Sequence, residues 1–134
     1  MTRGVVEIRT GDQWLPACPY ETLETGRGVA VLLAGRQVAL FRDRGGAVYA
    51  VGNRDPFSGA HVISRGLLGS RDGAPVVISP MYKQAFDLRS GACLDEPGAA
   101  LPVWPVRLTP RARACAQDVA RASAGAHSRE TAPS

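Results

Sequence analysis

No stretch of this chain keeps the apolar spacing of an amphipathic helix; short β-prone runs alternate instead with breaks rich in glycine and proline. That punctuation points to an all-β domain of short antiparallel strands, because such runs are too short for stable helices yet long enough to cross a sheet. Residues 29–33 and 37–42, joined by Ala34-Gly35-Arg36, read as an antiparallel hairpin, and residues 47–51 follow the turn Asp43-Arg44-Gly45-Gly46 as a third strand. An earlier strand is expected over residues 13–18, where Pro16 favours an edge, with Pro19 closing it and residues 20–24 forming at most one helical turn. A second hairpin, residues 75–78 and 85–88, flanks the loop Ser79-Pro80-Met81-Tyr82-Lys83-Gln84, and Pro102 and Pro105 break residues 101–108 into bent or edge segments.

The remaining stretches set the domain limits. Residues 1–12 show no firm period and read as an N-terminal extension. Residues 52–73 read as a long structured loop in which only 60–63 and 66–68 are apolar enough to be held inside, with one short strand at 61–63. Residues 113–115 add a terminal strand. Residues 116–134, nearly devoid of large apolar side chains, read as a disordered tail with a helical turn or two at 117–122. The domain proper is thus expected over 13–115.

A length of 134 residues suits one such domain. The formal charge of +4 is modest and gathers near the C-terminus, at Arg107, Arg111, Arg113, Arg121 and Arg129, so no nucleic-acid partner is expected. Cys18, Cys93 and Cys115 are too few and too scattered for a disulfide scaffold or a four-cysteine metal site, and fit a reducing, cytoplasmic setting. No apolar run is long enough to span a bilayer, and Glu7 and Asp12 stand where an export leader would be basic or apolar; neither membrane insertion nor export is expected.

Catalytic options are narrow. His61 and His127 are the only imidazoles, and no motif marks a nucleophile beside either. Asp43, Asp55, Asp72, Asp87, Asp95 and Glu96 mostly adjoin glycine or arginine in turns, where carboxylates cap and form surface ion pairs. Gly26-Arg27-Gly28 precedes a strand and lacks the helix that would aim amides at a phosphate. What stands out are two loops: Asn53-Arg54-Asp55-Pro56-Phe57-Ser58-Gly59-Ala60-His61 with Ser64-Arg65-Gly66, and Ser79-Pro80-Met81-Tyr82-Lys83-Gln84. Arg54 and Arg65 read as loop-structuring residues, Arg54 pairing with Asp55 or Asp87, while Phe57 and Tyr82 fill the space between the loops. Residue chemistry leaves two readings open: pure scaffold, or a docking surface made of Phe57, Met81, Tyr82 and Lys83.

The run from Tyr49 through Ala60, Ser64-Arg65-Gly66, and the run from Ser79 through Gly91 together resemble the Rieske-like small subunits of assimilatory NAD(P)H-dependent nitrite reductases, over about residues 13–115. Such a resemblance implies a Rieske-like fold of short antiparallel strands with two cluster-type loops. Rieske domains hold a two-iron, two-sulfur cluster with two thiolates on one iron and two imidazoles on the other. Here Asp55 and Phe57 stand in the places of the first Cys and His around Pro56, and Ser79 and Tyr82 in those of the second pair around Pro80. No cofactor is therefore expected on this chain. The resemblance implies a large-subunit partner carrying FAD, a 4Fe-4S cluster and siroheme, which reduces nitrite to ammonia, with this chain as a redox-inert docking subunit. The rival readings are an electron-transfer subunit with a real 2Fe-2S cluster and an interaction module of another oxidoreductase.

Overall fold

Ten strands and two single turns of 3-10 helix make up residues 4–110, the part of the chain described by this computed structural model. Strands β1 (Val5–Thr10) and β2 (Gln13–Pro19) form an antiparallel hairpin, and β3 (Val29–Leu33), β4 (Arg36–Arg42) and β5 (Val48–Gly52) form a meander. Then β6 (Leu67–Arg71), β7 (Ala74–Ile78) and β8 (Ala85–Asp87) make a small sheet of their own. The chain returns through β9 (Val103–Trp104), which pairs with β5, and β10 (Val106–Thr109), which pairs with β1.

The architecture follows from β4, whose residues 38–41 are all buried. Val38 and Leu40 face one cluster with Val6, Ile8, Cys18 and Val31, between the β1–β2 hairpin and the meander. Ala39 and Phe41 face a second cluster with Val51, Ile63, Val77 and Phe86, between the meander and the β6–β8 sheet. A strand covered on both sides reads as an unbroken apolar run, as Val38-Ala39-Leu40-Phe41 does. Its hairpin with β3 turns on Ala34 and Gly35, both at positive φ (51° and 78°), so the connection is the two-residue kind and Arg36 already belongs to β4.

Several sequence expectations need amending. The stretch set apart as residues 1–12 contains β1, central in its sheet, with Val5, Val6 and Ile8 fully buried. Adjacent Val5 and Val6 are both covered, and the ladder to β2 skips Ala17 at a bulge, so the alternation that marks a strand is missing. The stretch 52–73 is not loop throughout: β6 lies in it, an almost wholly exposed edge strand held by its ladder to β7. In place of a strand at 61–63 there is a single Arg54–His61 bridge followed by a 3-10 turn at Ile63–Arg65. The expected strand at 113–115 and the tail at 116–134 lie outside the described residues.

Candidate functional site

The two singled-out loops leave the second core side by side, one between β5 and β6, the other between β7 and β8. Each closes through its own main chain, and both do so in the same way. The Asp55 N–H donates to the Ala60 carbonyl (2.8 Å) and the Gly59 N–H to the Asp55 carbonyl (2.8 Å). Likewise the Ser79 N–H donates to Gln84 (2.9 Å) and the Lys83 N–H to Ser79 (3.1 Å). Proline is second in each loop, and the fifth residue takes positive φ, Gly59 at 81° and Lys83 at 67°. A lysine in that conformation costs on the order of 1 kcal/mol, which the loop's hydrogen bonds offset.

Asp55 and Ser79 thus hold equivalent positions, and each side chain takes the N–H two residues on: Phe57 to Asp55 Oδ1 (2.7 Å) and Met81 to Ser79 Oγ (3.2 Å). Asp55 Oδ1 also accepts the Ser58 N–H (3.3 Å). The Ser79 hydroxyl then donates a short hydrogen bond to Asp55 Oδ2, and both residues are fully buried. A buried carboxylate persists only when hydrogen-bonded in this way. This bond joins the two loops to each other at their first residues.

Asn53 anchors the first loop, a role its residue type alone did not signal. Buried, it donates from Nδ2 to Gln37 Oε1 (2.9 Å) and to the His61 carbonyl (3.3 Å), and accepts the Ser64 N–H at Oδ1 (2.7 Å). It fixes the loop's two ends to β4. Arg54 and Arg65 are exposed and make no ion pair with Asp55 or Asp87. Asp55 is occupied by two amides and a hydroxyl, and Asp87 pairs with Arg89 (3.5 Å). The Arg54 guanidinium packs against Gly59, within 3.3 Å of where a Cβ would stand.

The aromatic residues are also placed differently from expectation. Phe57 leans on Phe86, ring centroids 6.3 Å apart, while 36% exposed, and Tyr82 stands 58% exposed. The space between the loops is closed by the Asp55–Ser79 bond, leaving Phe57, Met81, Tyr82 and Lys83 at the surface, where a partner can reach them.

The donor set does not suit a Rieske cluster. Phe57 offers no donor atom, the Asp55 carboxylate already accepts three hydrogen bonds, and Tyr82 carries a phenol where a Rieske cluster uses an imidazole. Cys18 and Cys93 belong to different clusters on opposite sides of the meander, and burial pushes the Cys18 thiol up to about 12, far from a thiolate at neutral pH. Among the described residues, no three His, Cys, Asp or Glu side chains gather closely enough to hold a metal ion.

The family model of the Rieske-like [2Fe-2S] domain matches residues 13–112. The nitrite reductase (NADH) small subunit of Salmonella typhimurium is 41% identical over 85 residues, 63% of this chain and 79% of that protein. A 95-residue stretch of a Klebsiella oxytoca nitrite reductase [NAD(P)H] large subunit is 44% identical, and it takes in 71% of this chain but 10% of the length of that protein. Among solved structures, a Mycobacterium tuberculosis protein described as an NADH-dependent nitrite reductase small subunit superposes with a TM-score of 0.68 at 59% identity, covering 70% of this chain and 84% of that one. With its all-β fold, its paired loops and these relatives, the chain belongs to the Rieske-like domain family, in the group of nitrite reductase small subunits.

Proposed function

We propose that this chain is the small subunit of a cytoplasmic, assimilatory NAD(P)H-dependent nitrite reductase, and that it binds no cluster of its own. Its role is to dock on the large subunit and to stabilise or orient it, while the redox path from FAD through a 4Fe-4S cluster to siroheme, and the reduction of nitrite to ammonia, belong to that partner. The observation that carries this reading is the buried Asp55–Ser79 bond, at residues where the resemblance implies cluster ligands, beneath an exposed tip of Phe57, Met81, Tyr82 and Lys83. The Klebsiella oxytoca match supports the choice of partner, since a segment similar to this chain is built into a large-subunit polypeptide.

Two measurements on the full chain test it. Iron and acid-labile sulfide are determined on the purified protein, and nitrite-dependent NAD(P)H oxidation by the large subunit is followed with and without this chain. The reading expects no stoichiometric iron or sulfide, and a large subunit whose activity or lifetime rises when the chain is added. Stoichiometric iron and sulfide with thiolate-to-iron absorption overturn the redox-inert role; a large subunit that neither binds the chain nor changes overturns the partnership.

A further inference from the structure

Seven large apolar side chains are exposed among the described residues, and five of them, Phe57, Leu67, Met81, Tyr82 and Leu94, belong to the two loops, the β6–β8 sheet or the segment that follows it. The ladder links two of them. Leu67 pairs with Ile78, the residue before Ser79; Ile78 pairs with Ala85, the residue after Gln84; and the Leu94 N–H donates to the Ala85 carbonyl (2.8 Å). The adjacent row, Leu68, Val77 and Phe86, turns into the second core; the Leu67 row lies on the opposite face, with Leu67 and Leu94 exposed at its ends and Ile78 half-buried and Ala85 buried between them. Leu67 is 69% exposed and Leu94 41%. Met81 and Tyr82 stand exposed on the loop that leaves Ile78, and the Asp55–Ser79 bond ties to it the loop that carries Phe57.

Charge around this face is uneven. Asp95 is paired with Arg71 (2.8 Å) and Asp87 with Arg89, while Asp55 is buried. Arg65, two residues before Leu67, and Lys83, two after Met81, are exposed with no carboxylate partner among the described residues. Two acids of this region lie outside these pairs, Asp72 in the β6–β7 turn and Glu96 past Leu94, both at the ends of the sheet away from the loop tip.

We infer that the outer face of the β6–β8 sheet, centred on Leu67 and Leu94, is part of the docking surface, and that it receives an apolar patch of the large subunit whose carboxylates meet Arg65 and Lys83. This rests on the small-subunit reading and extends it beyond the loop tip. An apolar patch rimmed by uncompensated charge of one sign marks an interaction site, and the charges select a partner of opposite sign.

The test measures affinity of the full chain for the purified large subunit at low and at physiological salt, for Leu67→Glu, Leu94→Glu, Arg65→Glu and Met81→Asp. Leu108→Glu serves as the control, since Leu108 is about as exposed as Leu94 but on β10, in another sheet. Urea midpoints confirm folding, and Leu67→Ser and Leu94→Ser replace any glutamate variant that does not fold. The expected result is a loss of about tenfold or more for Leu67 and Leu94 variants, with Leu108→Glu nearly unchanged. Arg65→Glu weakens binding chiefly at low salt. Folded Leu67 and Leu94 variants that bind like the unaltered chain while Met81→Asp weakens overturn this inference and leave the small-subunit reading standing. No binding by the unaltered chain overturns both.

Discussion

The hydroxyl of Ser79 donates to the carboxylate of Asp55, linking equivalent positions of two loops that are 24 residues apart in sequence. Replacing Ser79 by alanine leaves Asp55 Oδ2 buried and short of a donor, at a cost of about 1–3 kcal/mol. Because the two side chains act as a pair, Asp55→Ala combined with Ser79→Ala should cost less than the sum of the single changes. Urea unfolding of the four proteins measures the coupling, and strict additivity would refute the link.

Gly66 enters the same region from the other side. A Cβ there would stand 2.5 Å from the Ile78 carbonyl oxygen and 2.8 Å from a Val77 methyl. Main chain cannot swing aside as a side-chain tip does, so Gly66→Ala should destabilise by roughly 1–3 kcal/mol. Amide shifts should move in residues 79–84, which Ile78 feeds. A stable variant with an unperturbed second loop would contradict the close approach.

Asp95 should make stability fall in acid. The Arg71 guanidinium beside it, helped by the Ala85 N–H, holds its carboxyl below the usual carboxylate range. A group depressed on folding contributes its stability above the unfolded pKa of about 3.9 and loses it as pH falls through the lower folded value. The urea midpoint should therefore drop as pH falls below about 4, and Asp95→Asn should drop less steeply. Identical acid limbs would exclude the pair as a contributor.

Cys18 should resist modification. It is buried among Val6, Ile8 and Leu40, and burial pushes its thiol up to about 12. Iodoacetamide at about pH 8 should leave the Cys18 peptide unlabelled in the folded chain and label it in urea, as read by mass spectrometry. Rapid labelling of Cys18 in the folded protein would show a far looser first core.

The meander was legible because its signals are local: Ala34-Gly35 supplies the turn, and β4 carries the unbroken apolar run of a strand covered twice. The equivalence of the two loops was written in Pro56 and Pro80, and it is the resemblance they carry that implies ligand positions at Asp55, Phe57, Ser79 and Tyr82. Strands β1 and β6 were not legible, since one breaks alternation at buried Val5-Val6 and the other has too few buried side chains to show a pattern. Both are defined by partners distant in the chain or by a ladder, which no local window contains. The same holds for Asn53, whose importance lies in reaching Gln37 and Ser64. The pairing of Arg54 with Asp55 or Asp87 was not legible either, since burial gives Asp55 to amides and a hydroxyl and Asp87 lies beside Arg89.

Loops that complete their own turns through main-chain bonds do not wait on an inorganic group to acquire shape. In such a scaffold the outline offered to a neighbour is drawn by peptide groups, and the side chains at the junction decide only what lies inside it.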